Sequence, residues 1–109
     1  QRDFLTPFGP CTEKLDSPHY KANGYWRGPI WAPTTYLLCD GLKRAGREEL
    51  ANEIAARFCK MITEKAGGNY ENFDAKTGEG LCAPGYTWTS AVHLLFLLEQ
   101  NPRSEPELR

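Results

Sequence analysis

No apolar run in this 109-residue chain approaches the roughly 18 residues needed to cross a membrane. The longest candidate, Ala91 to Leu98, is interrupted by His93 and followed by Glu99, which suits a buried helix. A marked excess of either charge is missing too: 13 Lys and Arg face 14 Asp and Glu, for a net charge of −1. That balance argues against a nucleic-acid or polybasic membrane partner, either of which would need a clear excess of Lys and Arg on one face. Cysteine is scarce, with only Cys11, Cys39, Cys59 and Cys82, and none of them in CxxC spacing. Neither a disulfide scaffold nor a zinc or redox pair is expected, and the free thiols lean toward a reducing, cytoplasmic interior. His19 and His93 lie far apart in sequence, so no metal site is visible. The chain also lacks an initial Met and a charged start leading into a short apolar stretch, so it carries no visible signal peptide and reads as a fragment or a processed product.

What is present, 40% hydrophobic and 12% aromatic residues, describes one globular unit with a modest core. Residues 1–33 hold five of the eight prolines together with Gly9, Gly24 and Gly28, and are expected to be irregular. The aromatic residues Phe4, Phe8, Tyr20, Tyr25, Trp26 and Trp31 make this segment too sticky for a linker, and irregular segments of such length are usually functional. From Pro33 to Ala45 the apolar residues Tyr36, Leu37, Leu38, Leu42 and Ala45 recur at helical spacing, and Gly46 stops the run. From Arg47 to Ala66, Leu50, Ile54, Phe58 and Met61 or Ile62 form one face while Glu48, Glu49, Glu53, Arg57, Lys60 and Glu64 form the other. The short link makes the two helices an antiparallel hairpin. Gly67 and Gly68 end it, Asn69 to Gly85 reads as a second long loop with a turn at Asp74 to Gly78, and Thr87 or Thr89 caps a third helix through Glu99. That helix is apolar almost all round, so it predicts neighbours that two amphipathic helices cannot supply.

Three segments carry candidate chemistry: Gly24 to Trp31, Asn69 to Asp74 and Gly85 to Ser90. Flat aromatic faces with Arg, Asp, Glu and Asn at their edges are the mixture that holds hydroxyl-rich ligands such as sugars.

The run Tyr25-Trp26-Arg27-Gly28-Pro29-Ile30-Trp31, the helix end Gly41 to Gly46, the segment Glu71 to Gly80 and the run Tyr86 to Ala91 occur in that order. Together they resemble the C-terminal part of the (α/α)6-barrel glycoside hydrolases. The closest resemblance is to family 63, with its processing α-glucosidases, and the trehalases of family 37 share the order of motifs. It extends from about Pro7 to Leu98. The resemblance implies an all-α fold, a three-helix C-terminal portion of an (α/α)6 toroid with two long site-bearing loops: an irregular site loop over 1–33, helices and a catalytic loop over 34–99, and a tail over 100–109. It also implies inverting hydrolysis of an α-glucosidic bond by two carboxyl groups roughly 6.5 to 9.5 Å apart, without a cofactor. By motif position Glu71 matches the general base, Tyr25, Trp26, Arg27 and Trp31 the segment lining the sugar pocket, and Glu79 and Trp88 positions beside it. The family's general acid, an Asp on an upstream segment, has no counterpart here; Asp74 lies too near Glu71 in sequence to face it across a substrate. The implied partners are an oligosaccharide or glucoside substrate and the missing upstream half of the barrel, or a self-associated copy.

Each residue also has a plainer reading. Glu71 and Glu79 are then solvated loop acids, Trp26, Trp31 and Trp88 core aromatics, Arg27 a partner of Asp74 or Glu79, and His93 a core histidine. A trehalase or a mannosylglycerate-type hydrolase on the same barrel is the alternative enzyme, and a non-catalytic carbohydrate-binding or interaction module is the alternative class.

Overall fold

The computed structural model describes residues 4–100, and of Gln100 the backbone only. The tail expected over 100–109 thus lies outside the described residues apart from that position. Three helices form the body: α1 (Ala32–Arg44), α2 (Glu48–Met61) and α3 (Thr87–Gln100). Helix α1 starts with Pro at a position where no intrahelical N–H is needed, ends with Lys43 and Arg44 in its last turn, and is followed by Gly46 at φ 81°. Helix α2 carries Glu48 and Glu49 in its first turn and Lys60 in its last, each opposite in sign to the helix end it occupies. It runs into a π-helical turn, Ile62–Ala66, and stops at Gly67, whose left-handed backbone (φ 68°, ψ 23°) suits glycine.

The two long segments are not wholly irregular. Five strands of two residues each pin them down: β1 (Leu5–Thr6) pairs with β2 (Gly9–Pro10), while β4 (Asn72–Phe73) pairs antiparallel with both β3 (Ile30–Trp31) and β5 (Gly80–Leu81). The register sets Trp31 opposite Asn72 and Asn72 opposite Leu81. Strands this short leave no period in the sequence, which is why their residues read as loop.

The core lies where α2 meets α1, α3 and the three-stranded sheet. Phe58 of α2, fully buried, sits edge-on to Phe73 of β4 at 5.6 Å and to Phe96 of α3 at 5.9 Å. Ile54, Ala55, Cys59, Met61 and Ile62 complete the inner face of α2 and the turn that follows. Helix α3 buries only the stripe Thr89, Val92 and Phe96, and Lys43 of α1 is tied to its Glu99 by a 3.0 Å ion pair. Leu94, Leu95, Leu97 and Leu98 of α3 are exposed, as are Leu37 and Leu38 of α1, with Leu37 at 67% and Leu94 at 57%. A helix apolar all round but covered along one stripe matches the expectation that α3 needs neighbours beyond these residues.

Among the described cysteines all four are free, and Cys39 and Cys59 are buried in the core. Burial pushes both thiols up to about 11, from about 9 in the unfolded chain. Between pH 9 and 11 the unfolded chain therefore sheds these protons before the folded one, so stability is present below pH 9 and drains away as pH rises through 11, by on the order of 2 kcal/mol for each thiol. Urea midpoints measured from pH 8 to pH 11 should fall steeply. The C39A/C59A double variant should start lower and slope less, the remainder coming from groups such as Tyr25; an equal slope in both would locate the alkaline sensitivity outside these two thiols.

Candidate active site

Glu71 stands at the point where the second loop enters β4. Its backbone N–H donates to the carbonyl of Ala83 at 2.9 Å, extending the β4–β5 ladder past Asn72. One residue earlier, the carbonyl of Tyr70 accepts a 2.6 Å hydrogen bond from the buried hydroxyl of Thr89, and Tyr86 N–H donates to Asn69 O at 2.7 Å. The start of α3 is thereby strapped to the residues that carry Glu71. Tyr70 also lies across Gly80 so closely that a Cβ there would overlap its ring. Gly80→Ala should cost about 1 to 3 kcal/mol through this overpacking, measured by urea unfolding. A neutral substitution would mean that Tyr70 can move aside freely.

Against this edge stands the aromatic run from the first segment. The phenol of Tyr25 donates to Glu71 Oε2 at 2.5 Å, across a sequence separation of 46 residues. Its ring meets Trp31 edge-on at 4.5 Å and Trp26 at 5.9 Å, and Trp26 and Trp31 stack at 3.9 Å with an interplanar angle of 11°. Trp88, on the first turn of α3, sits 6.1 Å from Trp31 and 5.1 Å from Tyr86. The hydrogen bond from Tyr25 to the Glu71 carboxylate, with burial and the charge of Glu71 adding to it, pushes the phenol up to about 12, so it stays protonated at any ordinary pH.

The structure thus brings Tyr25, Trp26, Trp31, Trp88 and Glu71 together and gives them different places. Trp31 is fully buried, with its backbone carbonyl accepting from Thr35 Oγ1 at 2.7 Å, and forms the floor of the cluster. Trp26 lies on it as a half-exposed outer layer with one face against Trp31. Trp88 and Tyr25 are likewise exposed at the rim. Arg27 is exposed on the loop next to Trp26, its backbone bonded to Lys21 and Gly24; among the described residues its guanidinium makes no ion pair with Asp74 or Glu79. Glu79 is not part of the cluster. Asp74 N–H donates to its carbonyl at the far end of the β4–β5 hairpin, three ladder positions from Glu71 and so about 10 Å away along the strand. Asp74 serves the turn itself: its Oδ1 accepts from the N–H groups of Lys76 at 2.8 Å and Thr77 at 3.1 Å.

Two residues outside the sequence-based set border the site. Tyr86 and Cys82 both lie near Tyr25, adding only slightly to the rise that the Glu71 hydrogen bond gives its phenol, and the Cys82 sulfur accepts a 3.7 Å hydrogen bond from Asn72 Nδ2. Tyr86 could be suspected from its place two residues before Trp88; nothing in the sequence marks Cys82. A separate apolar cleft of about 380 Å³ opens between the β1–β2 hairpin and helices α1 and α2, lined by Phe4, Leu5, Leu38, Leu42, Leu50 and Ile54 among others. None of the Glu71 cluster lines it, and it lacks the charged groups that would orient a sugar.

Helical body, short pinning sheet and site loops together form a sector of an (α/α)6-barrel glycoside hydrolase domain. Within that class the chain belongs to the family described as the mannosylglycerate hydrolase MGH1-like glycoside hydrolase domain, which it matches over residues 1–89. It is similar to the mannosylglycerate hydrolase MGH1 of Selaginella moellendorffii, with 34% identity over 82 residues, covering 75% of this chain and 16% of that protein. It is also similar to the mannosylglycerate hydrolase of Rubrobacter radiotolerans, at 37% over 75 residues, 69% of this chain and 16% of that protein. A periplasmic trehalase of Xanthomonas campestris pv. campestris shows 31% identity over 105 residues, 86% of this chain and 18% of that protein. Among solved structures, the family 63 mannosylglycerate hydrolase of Thermus thermophilus in complex with Tris superposes with a TM-score of 0.77 at 25% identity, over 85% of this chain and 22% of that one. The same enzyme in complex with Tris and D-glycerate gives 0.69 at 28%, over 75% and 19%. The chain therefore spans about a sixth of the length of the curated relatives it matches.

Proposed function

We propose that these residues supply the general-base side of an inverting glycosidase site, in the C-terminal part of its catalytic domain. The observation that carries this reading is the Glu71 carboxylate held by Tyr25 at the rim of the Trp26–Trp31–Trp88 cluster. A sugar ring laid on the half-exposed face of Trp26 would have that carboxylate at its edge. In the reaction, an acid from outside these 109 residues gives its proton to the leaving oxygen. Glu71 takes a proton from water as the water oxygen attacks the anomeric carbon from the opposite face. Water and the acid proton balance the cleavage, and two carboxyl groups suffice for the chemistry.

The bond cleaved is an α-glycosidic bond of a glucosyl or mannosyl unit. The names of the relatives favour a small acidic aglycone such as glycerate over an oligosaccharide, and the exposed guanidinium of Arg27 beside the cluster suits a carboxylate. Trehalose is the second substrate to test, because the trehalase match covers more of the chain. The exposed apolar faces of α1 and α3 are where the remainder of the barrel would pack. The test compares mannosylglycerate, glucosylglycerate, trehalose and a short α-glucan with the chain alone and with the rest of the barrel added. Hydrolysis of a glycerate glycoside only in the complemented form is the expected result. Turnover of trehalose alone would reassign the substrate, and activity from the chain alone would place the acid within it.

A further inference from the structure

Tyr25 is placed at some cost. It is a bulky residue at φ 65°, in the left-handed region that side chains other than Gly, Asn and Asp avoid by about 1 kcal/mol or more. The surroundings hold it there. The indole N–H of Trp31 donates to the Tyr25 carbonyl at 2.7 Å, and the Trp31 ring supports the Tyr25 ring edge-on at 4.5 Å. Trp31 is itself immobilised, fully buried at the junction of β3 and α1. The strained turn thus converts a rigid core residue into a fixed position for one phenol oxygen, and that oxygen meets Glu71 Oε2.

Resting on the assignment of Glu71 as general base, we infer that Tyr25 is a positioning residue for that base: it occupies Oε2 of Glu71 with its only proton and leaves Oε1 to face the attacking water. A phenol has one proton to give. Once it is committed to Glu71, Tyr25 can offer a sugar hydroxyl only an acceptor, so its role differs from that of a sugar-lining residue. The two oxygens of the carboxylate become inequivalent. The side chain, which otherwise has several rotatable bonds on an exposed edge, is restricted to the rotamers compatible with the Tyr25 bond. The phenol's ordinary pKa near 10 is raised to about 12 by the same hydrogen bond, so the donor persists throughout the working pH range.

The test uses the full-length protein that carries these residues, with Y25F and E71Q variants, and two readouts. The first is kinetic. Y25F keeps the ring against Trp26 and Trp31 but deletes the donor, so kcat should fall about 10- to 100-fold while KM changes less than about threefold. A rise in KM at unchanged kcat would make Tyr25 a substrate contact and overturn the inference. The second readout needs no activity. In the ultraviolet difference titration of wild type against Y25F, the Tyr25 component should ionise near 12, and in E71Q, which keeps an acceptor but loses the charge, it should fall part of the way toward 10. Ionisation near 10 in wild type, with the fold shown intact at that pH by circular dichroism, would show that the bond to Glu71 is not made, and would overturn the inference independently of the kinetics. If E71Q hydrolyses substrate as fast as wild type, the base assignment fails, and the positioning role fails with it even where the titration shows the bond. If E71Q is inactive while Y25F keeps full kcat, the base assignment stands and the positioning role alone is refuted.

Discussion

Glu71→Gln should lower kcat for hydrolysis by a factor of about 10² to 10⁴ with KM within a few-fold of wild type. The substitution preserves the shape of the side chain and leaves an oxygen able to accept the Tyr25 hydrogen bond, so the cluster should persist. What it removes is the capacity to take a proton from water, which is needed in the transition state and contributes little to binding of the ground state. The thermal midpoint should therefore be unchanged, and sugar binding should survive. An equal loss of binding and turnover would recast Glu71 as a substrate contact. Undiminished turnover would remove it from the chemistry.

Trp31→Ala should have the largest effect on stability. The indole is fully buried, stacked on Trp26, edge-on to Tyr25 and Trp88, and its N–H is bonded to the Tyr25 carbonyl. Truncation of a buried Trp costs about 3 to 5 kcal/mol. That is a large part of the roughly 5 to 15 kcal/mol available to a whole domain. Activity should fall as well, because the φ 65° conformation of Tyr25 loses its anchor. Trp31→Phe separates the two contributions: much of the packing is kept, and the lost N–H bond should cost about 1 kcal/mol. Urea unfolding of both variants checks the order. A cost below about 1 kcal/mol for Trp31→Ala would show that the indole does not carry the floor of the cluster.

These two residues also show how far the sequence could be read. The helices were legible because Leu50, Ile54 and Phe58 repeat at helical spacing opposite Glu49, Glu53 and Arg57, and because Gly46 and Gly67 mark the ends. The unmet apolar demand of α3 was legible in the same way, from leucines on every side of one helix. The strands were not, since two residues show no alternation and the β3 and β4 partners lie some 40 residues apart. At the site, Glu71 and the aromatic run were found as separate motifs. Their union depends on the Tyr25–Glu71 hydrogen bond, which no local pattern encodes. The sequence favours Trp26 over Trp31 as a pocket residue, and the antiparallel register of Trp31 with Asn72 shows why Trp31 is the buried floor and Trp26 the rim. Glu79 shares a motif with Glu71 in sequence, but the hairpin carries it to the opposite end from Glu71.

The central claim is that Glu71 activates water on the face of the sugar opposite the leaving group. The anomeric configuration of the first-formed sugar tests it most directly, followed by proton NMR before mutarotation sets in, with an α-linked substrate and the complete barrel. The account predicts β-sugar as the first product and no such signal from Glu71→Gln. First-formed α-sugar would mean retention through a covalent intermediate, with Glu71 in a different role.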